Sequence, residues 1–163
     1  MTVALDTDFV LHLAEANEET WDVYSTLVEH FTHFDLIVTP VVANTLEFFS
    51  RSSEGSAIQR VRRAWRGLND DWRVTQLALT EAQRKVAWIL NYQLRQAGLL
   101  AETARLEAEL LGEAGLVADI LLAAPDSVVH RIDPKHLIFE TRMLGLPGLL
   151  VFKPKELMQM ISH

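Results

Sequence analysis

Val3-Ala4-Leu5 is a short apolar run that stops on a carboxylate, Asp6, and a helical pattern begins at once, with Phe9, Val10 and Leu13 at helical spacing. A strand that starts at residue 3 and ends on an acid belongs in the middle of a sheet. It delivers that acid to the carboxyl edge, where open α/β sheets bind ligands. Asp6 is the first candidate site residue. Its plain alternative is a helix cap, a role that suits Asp6, Thr7 or Asp8 equally.

The remaining chain alternates in the same way. Asp35-Leu36-Ile37-Val38 reads as a buried strand closed by Thr39-Pro40, and a helix carrying Glu47 follows. Residues 56–68 form an amphipathic helix, and Trp72–Leu77 a weak strand. Thr80-Glu81-Ala82-Gln83 is a capping-box pattern that opens a helix ended by Gly98. Residues 99–111 read as helix, and a second, more apolar helix runs from Ala114 to Ala124 and stops at Pro125. Ser127–Ile132 reads as a late strand followed by Asp133, residues 134–144 as a helix, Leu149–Phe152 as the last strand, and Pro154–Met160 as a terminal helix. Strands apolar on both faces, separated by helices, predict a three-layer α/β/α domain with a mostly parallel sheet of four to five strands. With 163 residues and no linker-like stretch, residues 1–163 are expected to be one domain.

Bulk properties narrow the function. The chain has no cysteine, so thiolate metal sites and disulfides are excluded. No apolar run is long enough to span a bilayer, and acids at positions 6 and 8 do not fit a signal peptide; a cytoplasmic protein is expected. A formal net charge of −7 opposes broad charge-driven binding of nucleic acid but allows a local basic strip. The dense basic run is Arg60, Arg62, Arg63 and Arg66, read first as a solvated face paired with Glu54 and Asp70, and second as a contact for RNA phosphates. The P-loop and dinucleotide glycine patterns are absent. Trp21, Trp65, Trp72 and Trp88 read as core or subunit-interface anchors rather than base-stacking platforms, and a homodimer is expected.

Asp6 and Asp133 each follow an apolar strand, Glu47 follows the second strand, and Glu113 opens the helix that crosses to the Asp133 strand. In a right-handed parallel sheet these chain positions fall near one edge. Carboxylates gathered there repel one another, and a hard dication such as Mg²⁺ relieves the repulsion, activates water and holds a phosphodiester.

The strand-Asp6-Thr7 opening, Thr39-Pro40 with Glu47, an acid before a Leu/Val/Ala-rich helix, Val128–Leu137, and the closing Gly145-Leu146 to Leu157 together resemble the PIN-domain ribonucleases. Within them the chain is similar to the VapC-like toxins. The resemblance runs from about residue 3 to 158 and rests on the order of short motifs. It implies a PIN-like fold and an endoribonuclease dependent on Mg²⁺ or Mn²⁺, blocked by an antitoxin partner. Asp6, Glu47 and Asp133 would be the first, second and fourth metal-binding acids. For the third, Glu113 and Asp119 compete. They sit about 240° apart on a helix, and Glu113 leaves a longer helix before Pro125. Thr7, Arg51 and Arg131 are the substrate-contact candidates. His130-Arg131 stands where the family more often has Ser or Thr, and the stretch from Gly98 to Gly112 is longer than usual. A domain that binds RNA or protein without turnover is therefore the alternative, and a different α/β phosphoryl-transfer or signalling domain is the third.

Overall fold

The computed structural model describes residues 1–52 and 55–162. Five strands, β1 (Thr2–Leu5), β2 (Asp35–Val38), β3 (Thr75–Gln76), β4 (Ile120–Leu122) and β5 (Leu150–Phe152), form one sheet in the order β3-β2-β1-β4-β5. Every pairing is parallel. The helices are α1 (Thr7–Ala14), α2 (Glu18–His30), α3 (Pro40–Arg51), α4 (Ala57–Arg66), α5 (Glu81–Gln96), α6 (Arg105–Val117), α7 (Pro134–Met143) and α8 (Pro154–Ile161). This is the α/β architecture the alternation predicts, with the sheet wholly parallel.

β1 is the central strand because its side chains leave it no other place: Val3, Ala4 and Leu5 are all fully buried. It pairs with β2 on one edge (Val3 beside Leu36) and with β4 on the other (Val3 beside Ile120, Leu5 beside Leu122). The chain lays β2 and β3 to one side of β1, then returns to place β4 and β5 on the other. The direction of winding reverses between β1 and β4, and a crevice opens at the carboxyl ends of strands at such a point.

Two segments differ from their sequence patterns. The helix expected over residues 114–124 starts and ends earlier; α6 runs unbroken through Gly112 from Arg105 to Val117, and Ile120–Leu122 is strand β4. Alanine and leucine favour helix in isolation, but hydrogen bonding on both edges, to β1 and β5, overrides a weak propensity. The expected strand Ser127–Ile132 is instead a single 3₁₀ turn, Val128–Arg131, capped by Ser127. Its place in the sheet is already taken by β4. The weak strand over Trp72–Leu77 shrinks to the two residues of β3.

Helix α5 forms as its sequence dictates. The Thr80 hydroxyl accepts from the Gln83 N–H, and Gln83 accepts from the Thr80 N–H, closing the capping box. Gly98 follows the helix with φ of +70°, the left-handed conformation that glycine adopts without strain. α5 and α6 then pack so closely that a Cβ at Gly112 would stand 2.4 Å from the Ala87 carbonyl oxygen. Backbone cannot swing aside as a side chain can. Gly112→Ala is expected to push α6 off α5 and lower stability by about 1–3 kcal/mol. Urea denaturation of wild type and variant measures this, and an unchanged midpoint would contradict the close approach.

Candidate functional site at the carboxyl edge of the sheet

Asp6 sits where β1 ends and α1 begins, and it is 4 % exposed. Its Oδ1 accepts from the Phe9 N–H at 2.7 Å, which caps α1, and from the Ala124 N–H at 3.3 Å, from the segment that leaves β4. The Asp6 N–H in turn donates to the Leu122 carbonyl at 3.1 Å. One carboxylate thus pins the two strands that flank the switch point. His130 supports the same place: its Nε2 donates to the carbonyls of Ala124 (2.9 Å) and Ala123 (3.2 Å).

Burial pushes the Asp6 carboxyl up from the ordinary 3.8 to about 7; the Phe9 N–H pulls against this, and nearby Asp8 adds to it. A cleft of about 150 Å³ opens beside it. The polar side chains that line it are Asp6, Thr7, Asp8, Thr45, Glu107 and Ser127, with Val41, Val42, Leu106 and Leu110 as the apolar wall. Every one of those polar groups offers oxygen, and among the described residues no Lys, Arg or His lines the cleft.

The four acids expected to converge do not do so. Among the described residues, no three His, Asp or Glu side chains are placed to hold a metal ion together. Glu47 is half-buried and pairs with Arg51 at 2.6 Å, beside a separate depression formed with Asn44, Phe48 and Ser52. Thr45, two positions earlier and about 200° around α3, is the polar side chain that this helix turns to the Asp6 cleft, beside Val41 and Val42. Asp133 is exposed and caps α7, accepting from the Lys135 N–H at 3.1 Å. It follows a 3₁₀ turn rather than a sheet strand, which is why the edge argument misplaces it. Arg131 is exposed on that turn. Of the three substrate-contact candidates, Thr7 is in the cleft.

The ambiguity over the third acid resolves into two structural roles. Glu113 accepts from the Val41 N–H at 2.9 Å, at the first turn of α3, whose N-cap Thr39 makes no side-chain cap bond. It caps α3 from across the fold, and desolvation raises its pKa against the pull of that N–H. Asp119 accepts from the Thr2 N–H at 2.9 Å, so it lies at the amino end of β1, the sheet edge opposite Asp6. Glu107, six residues before Glu113, faces the cleft from the first turn of α6. Knowing where α6 starts would have singled it out.

The basic helix α4 is committed in part: Arg60 pairs with Glu15 and Arg62 donates to the Ser50 carbonyl. The proposed partner Glu54 lies outside the described residues.

No family model matches the chain, and no curated protein does. Solved structures do. VapBC2 from Rickettsia felis bound to a promoter DNA fragment matches with a TM-score of 0.63 at 12 % identity, over 94 % of this chain and 98 % of that one. DNA-bound VapBC from Salmonella typhimurium matches at 0.60 and 12 %, over 94 % and 98 %. VapBC-1 from nontypeable Haemophilus influenzae matches at 0.60 and 14 %, over 95 % and 99 %. The fold is therefore PIN-like. It is the fold shared with these three chains from VapBC structures. Among the described residues, no helix is long and apolar enough to cross a membrane.

Two stability predictions follow from the geometry. In the folded chain Asp6 keeps its proton up to about pH 7, whereas the unfolded chain releases it near the ordinary value of 3.8. The fold therefore loses stability as pH rises between those values, and the full cost is present above them. Asp6→Asn keeps an oxygen for Phe9 and Ala124 but removes the charge. It is expected to match wild type near pH 4 and exceed it at pH 8 by up to about 4 kcal/mol, read from urea denaturation at the two pH values. Glu113→Ala, which uncaps α3, is expected to cost about 1–2 kcal/mol, and Glu113→Gln, which keeps an acceptor, markedly less.

Proposed function

We propose that the protein is a VapC-like endoribonuclease, the toxin of a toxin–antitoxin pair, that hydrolyses RNA phosphodiesters at the Asp6 cleft with Mg²⁺ or Mn²⁺. The observation that carries this reading is the cleft itself: Asp6, Asp8 and Glu107 line one small space at the switch point, and among the described residues no cationic side chain lines it to offset them. The VapBC structural neighbours support the toxin assignment and an antitoxin as protein partner.

The donor set fits a hard dication in kind, since it is all oxygen, but not as a ready-made cage of three or four acids. Mg²⁺ commonly binds through one or two carboxylates and keeps its other positions for water and substrate phosphate. Asp6 and Glu107 would hold it here, with the Thr45 and Ser127 hydroxyls as neighbours for its waters. When bound, such an ion lowers the pKa of water and offsets charge on the phosphate. Asp6 supplies the fixed point, because both backbone donors hold one oxygen and keep the carboxylate from turning away. Ligand binding requires it ionised, so metal affinity is expected to weaken as pH falls below about 7.

A second reading, a PIN-like module that binds RNA or protein without turnover, is favoured by Thr45 standing in the cleft while Glu47 faces Arg51. One experiment separates the two. Purified chain with single-stranded RNA is expected to cleave in Mn²⁺ or Mg²⁺ and not in EDTA. Asp6→Asn and Glu107→Gln should each reduce the rate at least about a hundredfold, and Glu47→Gln or Asp133→Asn less than about threefold. Wild-type protein that cleaves in neither metal supports the second reading, and cleavage that survives Asp6→Asn rejects this site.

A further inference from the structure

Across α6 from the Asp6 cleft runs a groove of about 330 Å³ between α5 and α6. Arg84, Trp88, Asn91 and Arg95 line it from α5, and Arg105 from α6. The inner face of α5 is buried through Ala87, Leu90 and Leu94, but its outer face ends in Trp88, 64 % exposed, stacked on Tyr92, 50 % exposed. Their ring centroids lie 5.6 Å apart with planes 17° from parallel. Two large aromatic rings held parallel in solvent exclude the core half of the core-or-subunit-interface reading of Trp88.

The charge beside the rings is equally uncommitted. Among the described residues, no carboxylate lies within 4.0 Å of the Arg84, Arg95 or Arg105 guanidinium. Glu109 and Glu113 also line the groove, but Glu113 is engaged with the Val41 N–H. Guanidinium groups that line one groove with Trp88, itself stacked on Tyr92, in a chain whose formal net charge is −7, are complementary to a flexible polyanion with flat bases. The groove also meets the candidate site. Arg105 precedes Leu106 and Glu107, which line the Asp6 cleft, and Glu113 of the groove bonds Val41 of the cleft wall.

We propose that the α5–α6 groove binds single-stranded RNA, stacking a base on the Trp88–Tyr92 pair and holding adjacent phosphates with Arg84, Arg95 and Arg105, so that the strand leads across the first turn of α6 to Asp6. The choice of RNA rests on the nuclease reading of the cleft. Stacking on aromatic rings tolerates any base, so the groove supplies affinity and direction rather than sequence preference.

Binding is measured by fluorescence anisotropy of a labelled ten-nucleotide single-stranded RNA with the full chain in EDTA, where cleavage plays no part. Trp88→Ala is expected to weaken binding roughly tenfold. Arg84→Ala with Arg95→Ala should weaken it and flatten the salt dependence by about 1.4 in the log–log slope. Wild-type RNA affinity in both groove variants overturns the proposal, as does a wild-type chain that binds no RNA. Sedimentation run in parallel covers the other occupant: a dimer that falls to monomer in Trp88→Ala, with RNA affinity unchanged, makes this face a contact between copies and overturns the proposal too. Normal cleavage with an indifferent groove refutes the groove alone. Groove-dependent binding with no cleavage in Mn²⁺ refutes the nuclease reading alone.

Discussion

A single buried carboxylate ties the fold to its site. Asp6 ends the central strand, caps the first helix through Phe9, and accepts from Ala124 just beyond β4. It therefore fixes the relative position of the two strands between which the sheet reverses direction. Taking that carboxyl out of water raises its pKa to about 7, so the fold holds in its most constrained position a group that resists ionisation. A binding partner that favours the ionised form gains from this arrangement, because the geometry is already set by backbone donors.

Helix α6 distributes its acids with equal economy. Glu107 in its first turn reaches the Asp6 cleft, and Glu113 farther along caps α3. Asp119, just past its end, holds the amino end of β1. The close approach at Gly112 sets α6 against α5 and brings Arg105 beside the exposed aromatic pair. The cleft and the groove are thus two sides of one helix.

Much of this architecture is legible in the residues alone. Val3–Leu5 with Asp6, Leu36–Val38 with Pro40, and Thr80–Gln83 carry their own signals of burial, termination and capping. β4 is not legible, because Ile120-Leu121-Leu122-Ala123-Ala124 reads as helix until strands lie on both its edges. Val128–Arg131 fails in the opposite sense, its branched residues suggesting a strand where the sheet has no vacancy. The site inherits these errors: an acid placed after a supposed strand, Asp133, caps a surface helix instead. Helical phase accounts for the other miss. Val41 and Val42 share with Thr45 the α3 face that lines the cleft, so the pattern that buries them also points Thr45 inward and leaves Glu47 to Arg51.

The central claim is that the end of β1 holds Asp6 as a protonated, hydrogen-bonded acid near neutral pH. Carbon-13 NMR titration of the aspartate carboxyls, with Asp6 assigned by its loss in Asp6→Asn, measures this directly. The account predicts that the Asp6 carboxyl titrates near pH 7 in metal-free protein. An Asp6 signal that titrates near the ordinary aspartate value of 3.8 would contradict it.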